Sequence, residues 1–373
     1  MPKFYFVIDS YSPNTAVTNR CMGMIKRFSE RGIRTEVVYF TSGDCVSKAP
    51  FFPNIKYFYY WEKLGIKNSK IQYLLSTTLY AWHFCSKVKK GDRVYLYGCN
   101  HLVNMLVKRK DIEVYQERTE HPAVSRLPFS NMEKYLKNCA KLTGMFVISN
   151  QLKTYFESIG VYRERIHIIN MTVDYSRFEK IERNASERYI AYCGKATNNK
   201  DGVDDLIKAF ALTSQTHEDV KLYIIGSPPN SSEESGNLEL VERLGISDKV
   251  VFVGVVNSQE MPQILKNAEI LALARPDNIQ SKYGFPTKLG EYLLTGNPVV
   301  ITSVGDIPLF LKDNYSAFIA CPNNPEVFSR KLNWVLDNKA EANAVGNNGR
   351  LVALKEFDSK KEADKIIKVI FGV

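Results

Sequence analysis

Lys288 and Glu291 stand one helical turn apart in the stretch SKYGFPTKLGEYLLTGNPVV, residues 281–300. Tyr283-Gly284-Phe285-Pro286-Thr287 is a loop punctuated by Gly and Pro. From about Thr287 the spacing of Leu289, Tyr292, Leu293 and Leu294 predicts a helix. Gly296-Asn297-Pro298 ends it, and Val299-Val300-Ile301 reads as a buried strand. The start of such a helix presents unpaired N–H groups and a partial positive charge, which suits a diphosphate. Lys288 adds a mobile cation, and the two oxygens of Glu291 could accept both hydroxyls of a ribose. That combination is what a nucleotide-sugar needs. An ordinary amphipathic helix with a surface Lys and Glu is written in the same residues.

These groups must be positioned by a much larger frame. At 373 residues the chain exceeds one common core and suits two domains. With 45% hydrophobic and 24% charged residues it has the composition of a globular protein. No apolar run reaches the length of about 20 residues that a membrane span needs. The opening MPKFYFVIDSYSP reads as a first strand rather than a signal peptide. Seven Cys, at 21, 45, 85, 99, 139, 193 and 321, are scattered with no C-x-x-C pair, which favours free thiols in a reducing compartment over a zinc site. The five His show no metal-ligand spacing either, so no protein-bound metal is expected.

Charge is unevenly placed. Residues 1–175 hold 26 Lys and Arg against 14 Asp and Glu, a net +12, whereas residues 176–373 hold 24 against 26. A basic first half can attract an anionic membrane surface, a phosphorylated acceptor or nucleic acid, or can serve solubility alone. No recognisable nucleic-acid module accompanies it, and no nucleic-acid partner is expected.

Along the chain, strands at Lys3–Asp9, Thr35–Phe40, Ile55–Tyr60, Arg93–Tyr97, Ile112–Gln116, Met145–Ser149 and Arg165–Asn170 alternate with helical segments. The helices include Thr15–Glu30, one long basic and aromatic helix at Lys70–Lys90, and another running to Lys110. A polar crossing, Met171–Arg188, leads to a second series. Its strands are Tyr189–Cys193, Val220–Ile225, Val250–Val253, Ile270–Ala274, Val299–Ile301 and Ala317–Ala320. The stretch 194–202 reads as a loop, and Asn230–Gly236 as a mobile one. Two βα series predict two doubly wound α/β domains. They divide as 1–175 for an acceptor, 186–356 for the donor, and a C-terminal helix at 357–373 packing back toward the first domain. Such a pair is expected to enclose a cleft in which two substrates meet away from water. No G-x-G-x-x-G follows the first strand. Ligands of open α/β sheets bind beyond the carboxyl ends of the strands. Glu117, Glu120 and His121 stand at one such end, where acceptor binding or proton transfer is one reading and a solvated loop the other. Arg275, at another end, could reach the cleft or merely cap its strand.

Several segments together resemble the retaining, two-Rossmann-domain (GT-B) glycosyltransferases of group 1, or family 4. Phe146-Val147-Ile148-Ser149 is similar to that family's strand before a helix. Arg165-Ile166-His167-Ile168-Ile169-Asn170-Met171-Thr172-Val173-Asp174, with Phe178, resembles its interdomain crossing. Gly194-Lys195, Lys200-Asp201-Gly202-Val203 and Leu206-Ile207-Lys208-Ala209-Phe210 resemble the opening of its second domain. Gly284-Phe285-Pro286-Thr287-Lys288-Leu289-Gly290-Glu291-Tyr292 resembles a variant of its donor motif. The resemblance implies that Lys195 and Lys200 neutralise a donor diphosphate in place of a metal and that Glu291 holds the ribose. It implies that backbone N–H groups of Phe285, Thr287 and Lys288 line phosphate and sugar. Gly226, Val255 and Val256 would flank the base, with Arg275, Tyr283 and Gly284 beside the sugar. The family's motif has a Glu eight residues before Glu291, where this chain has Tyr283, so the sugar is left open. The function implied is sugar transfer from a nucleotide-diphosphate donor, without cofactor, to a glycan or lipid-linked saccharide. It would serve cell-surface polysaccharide synthesis in the cytoplasm, with peripheral contact to an anionic membrane through the basic first domain. A nucleotide-sugar epimerase on the same scaffold, or a non-catalytic binding subunit, are the alternatives.

Overall fold

The computed structural model describes residues 2–13, 15–42, 48–63, 68–124, 129–226 and 232–373. The chain divides into two compact units, Met1–Asn170 with Ser359–Val373, and Met171–Asp358. The first crossing therefore falls at Asn170/Met171, and the last helix belongs to the first unit.

Unit 1 is built outward from β1 (Phe4–Tyr11), whose run from Phe4 to Ile8 is buried throughout. A strand apolar on both faces belongs in the middle of a parallel sheet, and β1 pairs in parallel with β2 (Thr35–Ser42) and β4 (Arg93–Tyr97). Adding β3 (Ile55–Tyr59), β5 (Glu113–Arg118), β6 (Gly144–Val147) and β7 (Ile166–Ile168) gives the order β3-β2-β1-β4-β5-β6-β7. Thr15 caps the helix Ala16–Glu30 by accepting from Thr18 N–H, and Cys21, Met24, Ile25 and Phe28 face the sheet at helical spacing. Against the same helix lies Ser359–Phe371, burying Ala363, Ile366, Ile367 and Ile370.

Asp364 fastens those two helices, taking Arg27 at 2.7 Å and Arg31 at 3.0 Å. The hydrogen bond from Arg27, opposed in part by burial and helped by Arg31, holds its carboxyl at about 2. A carboxyl depressed in the fold contributes stability that is complete above about pH 4 and is lost as pH falls toward 2. Asp364→Asn should therefore cost about 1 kcal/mol near neutrality and progressively less as pH falls from 4 to 2, measured by urea unfolding across that range.

Unit 2 repeats the plan with β8 (Arg188–Cys193), β9 (Val220–Ile225), β10 (Val250–Gly254), β11 (Ile270–Leu273), β12 (Val299–Thr302) and β13 (Phe318–Ala320). Their order, β10-β9-β8-β11-β12-β13, is parallel throughout and reverses direction between β8 and β11. That reversal opens a crevice at the carboxyl ends of the two strands, the place where such sheets bind ligands.

Several elements differ from expectation. The long helix at 70–90 is two helices, Ser69–Thr77 and Leu79–Lys87. Thr77 and Thr78 turn their hydroxyls back onto Leu74 O at 3.0 and 2.7 Å, competing for the helix carbonyls, and Thr78 leaves helical geometry. The helix expected to reach Lys110 ends at Leu106, and β5 runs on through Glu117 to Arg118. Asn198–Asp201 is a helical turn within the expected loop, and Ile279–Tyr283 is a short unforeseen helix. In the expected 230–236 loop, helix Ser232–Arg243 already starts at 232, while 227–231 lie outside the described residues, as does Cys45. Among the described residues no helix is long and apolar enough to cross a membrane.

Candidate functional site

Three glycines shape the crevice of unit 2. Gly194 ends β8 at φ +144° and donates its N–H to Ile225 O at 2.7 Å; Gly226 ends β9 at φ +103° and donates to Gly254 O at 2.7 Å. A Cβ on Gly194 would lie 2.3 Å from Lys288 Nζ, and one on Gly226 3.3 Å from Gly194 N and O. Gly202 closes the Asn198–Asp201 turn at φ +65°, with Ala274 O 1.9 Å from where its Cβ would stand. The loop carrying Lys195, Lys200 and Asp201 is thereby pressed against the end of β11 without room for side chains at these points.

At the centre of this packing is a carboxylate. Asp201 is buried, and its Oδ2 takes Lys288 Nζ at 2.7 Å and the Tyr192 hydroxyl at 2.8 Å. Lys288 also donates to that hydroxyl at 3.0 Å and sits 4.5 Å from the Tyr192 ring centroid. It is thus pinned, and the mobile cation expected from the sequence is not what the structure places there. Arg275 is buried as well, its Nε 3.9 Å from Asp201 Oδ1 and bonded to Lys200 O at 3.1 Å, while Thr302 Oγ1 donates to its carbonyl at 2.7 Å. Its guanidinium therefore braces the loop. Burial pushes the Asp201 carboxyl up, but Lys288, by charge and hydrogen bond, and then Arg275 outweigh it and leave the group below its ordinary range. Burial lowers Lys288, against the pull of Asp201. The side chains of Lys195 and Lys200 are at the surface of the same loop. Lys195, Lys200, Lys288 and Arg275 thus bring four cations to the loop and strand ends around the Asp201 carboxylate, a setting that suits a diphosphate.

Glu291 lies on the helix Lys288–Leu294, whose Leu289, Tyr292, Leu293 and Leu294 are buried. The Tyr292 hydroxyl accepts Cys193 N–H at 2.6 Å, fixing the helix to the end of β8. Gly290 lets the helix press onto the crossing, since a Cβ there would come within 2.9 Å of the Met171 side chain. From that crossing Arg177 reaches over and donates Nη1 to Glu291 Oε1, with Nη2 on Ser258 O at 2.6 Å. One carboxylate oxygen of Glu291 is thus engaged by a guanidinium, and Oε2 can accept from a ligand. Thr287 begins the helix without a side-chain cap. Phe285 is buried edge-on to Phe310 at 5.4 Å, and Gly284 N–H closes the preceding turn on Gln280 O at 3.0 Å. Tyr283 is half-buried, with Lys282 Nζ 5.7 Å from its ring. Val255 is exposed and Val256 half-buried just beyond β10.

The three candidates of unit 1 separate. Glu117 is a buried strand residue, paired with Arg20 Nε at 2.6 Å and accepting the Tyr95 hydroxyl. It belongs to the interior of the sheet, which corrects its placement in a ligand-facing loop. Glu120 and His121 do follow the strand. Arg118 donates Nη2 to Glu120 O at 3.2 Å, and His121 Nδ1 accepts Ala123 N–H at 3.1 Å while its ring meets Tyr155 at 4.2 Å. Burial, and then the charge of Arg118, lower the His121 pKa, so the ring is neutral at pH 7 with its proton on Nε2. Among the described residues, no three His, Cys, Asp or Glu side chains form a metal-holding group.

Comparison with known proteins places this geometry. Residues 175–352 match the model of the family described as glycosyl transferases group 1. That stretch is similar to a group 1 glycosyl transferase domain. The matched stretch is nearly the whole of unit 2 and contains all the crevice residues above. MMP alpha-(1->4)-mannosyltransferase of Mycolicibacterium hassiacum is 24% identical over 268 residues, covering 71% of this chain and 62% of that protein. Mannosylfructose-phosphate synthase of Agrobacterium fabrum is 26% identical over 192 residues, covering 47% of this chain and 41% of that one. The chain spans about half the length of the curated relatives it matches. Anabaena HepE, solved in complex with UDP-glucose, shares the fold at a TM-score of 0.77 with 15% identity, covering 100% of each chain. The α/β fold of two Rossmann-like domains, the GT-B class, is therefore common to both.

Within unit 2, Asp201, Tyr192 and Arg177 organise the crevice, and their types and spacing in the sequence do not single them out. Arg177 lies inside the quoted crossing, between Asp174 and Phe178, but nothing in its spacing points to a glutamate 114 residues away. Asp201 follows Lys200 in a polar stretch where an acid reads as surface charge.

Proposed function

We propose that the protein is a glycosyltransferase that takes a sugar from a nucleoside-diphosphate donor on unit 2. It passes that sugar to a glycan or lipid-linked saccharide bound by unit 1. The single observation that carries this reading is the cationic crevice around Asp201, with Glu291 one helical turn beyond Lys288. The donor diphosphate lies over Lys195, Lys200 and Lys288, so that lysines take the place of a metal. The ribose reaches Glu291 Oε2, the base lies by Gly226 and Val255-Val256, and the sugar by Tyr283-Gly284. Arg177, by holding Oε1, turns the carboxylate toward the ribose.

In the reaction the bond from the anomeric carbon to the diphosphate oxygen breaks, and a bond to the acceptor oxygen forms. Charge growing on the leaving phosphate is met by cations already in place, which need no reorganisation at that moment. With retention, the acceptor attacks from the face the phosphate leaves, and the hydroxyl proton passes to the departing phosphate oxygen. His121, neutral with an Nε2 donor, orients the acceptor. The products would serve cell-surface polysaccharide assembly at the cytoplasmic side of a membrane.

The family match supports this reading, as do relatives that are themselves glycosyltransferases, among them D-inositol 3-phosphate glycosyltransferase of Segniliparus rotundus. HepE complexes with UDP and UDP-glucose make UDP-sugars the first ligands to try. A thermal-shift screen of nucleotide-sugars is the test. A ligand at about 100 times its dissociation constant should add about 2.7 kcal/mol, and so raise the melting temperature by several degrees. If no nucleotide or nucleotide-sugar moves the transition, the reading fails. Conversion of donor alone to an isomeric sugar would replace it with an epimerase.

A further inference from the structure

Three arginines are buried among the described residues, and two of them face a carboxylate. Arg20 is paired with Glu117 at 2.6 Å, and Arg275 stands 3.9 Å from Asp201. Arg118, the last residue of β5 and only 7% exposed, is the exception. Its partners among the described residues are all neutral. Asn100 Oδ1 accepts Nη1 at 2.8 Å, Glu120 O accepts Nη2 at 3.2 Å, and the Tyr135 ring centroid lies 5.8 Å from Cζ. Its Nε is buried with no acceptor. A guanidinium does not lose its proton in a protein, so this charge is permanent. Buried charges are paired as a rule, because dipoles and a ring face return only part of the hydration that burial removes.

A bracing role explains the bond to Glu120 O and little more. Asn100 Oδ1 is satisfied without Arg118, since Gln116 Nε2 also donates to it at 2.9 Å. Gln116 in turn accepts the Tyr135 hydroxyl at 2.8 Å, so these neighbours hold one another in place. A neutral side chain of similar length would fill the same space without an unpaired cation.

The position of Arg118 suits a ligand. β4 and β5 pair in parallel, and Asn100 and Arg118 both stand at their carboxyl ends, where open α/β sheets bind. Glu120 and His121 follow directly and are half-buried. Burial and then the charge of Arg118 lower the His121 pKa, so the two side chains share one neighbourhood. Arg118 uses two of its five N–H donors on neutral oxygens, and the planar fork matches a carboxylate or a phosphate.

We propose that Arg118 receives an anionic group, a carboxylate or a phosphate monoester, on the acceptor saccharide, so that unit 1 selects acidic acceptors over neutral ones. The inference rests on the reading of unit 1 as the acceptor side and adds the acceptor's charge to it.

The test titrates the full chain, saturated with UDP to keep phosphate out of the crevice of unit 2. The probes are inorganic phosphate, acetate, glucose 6-phosphate, glucuronic acid and glucose at constant ionic strength. Binding is followed by thermal melting and by the His121 C2–H signal in NMR, assigned with His121→Gln. An anion should saturate and move that signal, binding at least tenfold more tightly than glucose. A response to phosphate and glucose 6-phosphate assigns a phosphate; one to acetate and glucuronic acid assigns a carboxylate. Arg118→Met should abolish the response, melt at or above the wild-type temperature, and leave the UDP-induced shift unchanged. Asn100→Asp, which supplies the missing carboxylate from within, should also abolish the response and raise the melting temperature. It decides the matter if the Met variant does not fold. No saturation by any anion, an unchanged response in either variant, or glucose binding as tightly as the anions would overturn the proposal and leave the donor reading intact. A melting temperature several degrees lower in Arg118→Met would make Arg118 a structural brace and overturn it too. Absence of any UDP shift in the wild type would instead remove the reading on which it rests.

Discussion

Replacing Glu117 with alanine should destabilise unit 1 by about 3–5 kcal/mol, a large part of what holds a domain folded. Its carboxylate is buried between the Arg20 guanidinium at 2.6 Å and the Tyr95 hydroxyl. Arg20 is buried too, and it also donates Nη1 to Asn170 O at 2.7 Å and Nη2 to Ile169 O at 3.3 Å. Burial alone would lower the Arg20 pKa, but Glu117 reverses that, so the guanidinium is charged and depends on this one counter-charge. Burial, reinforced by Glu117, drives the Tyr95 hydroxyl well above its usual range, so it is a donor at any physiological pH. Removing the carboxylate strands a buried cation and an unpaired hydroxyl together. Glu117→Gln should cost nearly as much, because the amide restores shape without charge. Urea unfolding followed by far-UV circular dichroism measures both. A variant of wild-type stability that has lost transfer activity would return Glu117 to the role of a reacting group.

The second large effect is expected at Asp201. Asp201→Ala leaves Lys288 and Arg275, both enclosed, facing each other without the anion between them, and should also cost about 3–5 kcal/mol. A bound diphosphate would restore the missing charge. The melting temperature gained on adding saturating UDP should therefore be larger in the variant than in wild type, although the variant starts lower. Equal gains would mean that the nucleotide does not meet Lys288. Asp201 titrates below its ordinary range, so its contribution is complete above about pH 4 and lost on acidification below that.

Much of the fold is legible in the sequence because the strands are unbroken apolar runs. FYFVI and MFVI have no polar face to show, and a parallel sheet with helices on both sides is where such strands belong. The helix Ala16–Glu30 declares itself by Thr15 at its start, an apolar residue every three or four positions, and Gly32 beyond its end. The break at Thr78 is not legible in the same way, since Ser76, Thr77 and Thr78 read equally well as the polar face of one helix, and hydroxyl bonds to Leu74 O decide it. The motif from Thr287 to Glu291 is legible as a positive helix start with a carboxylate one turn on. What that turn does with its charges is not, because Lys288 is set by Asp201, 87 residues away, and Glu291 by Arg177. Glu117 is the converse case. A charged residue late in a strand reads as the beginning of a loop until Arg20, 97 residues earlier, is seen to bury it.

Calorimetric titration of UDP into wild type, Lys200→Ala and Glu291→Ala tests the donor site most directly. Lys200 is exposed and Glu291 half-buried, so both variants should fold as the parent does. Each removes a charge-assisted contact, worth about 1.5–3 kcal/mol, and should weaken UDP by about tenfold or more. If wild type binds UDP and both variants bind it equally well, the nucleotide is held elsewhere and the crevice around Asp201 is not the donor site.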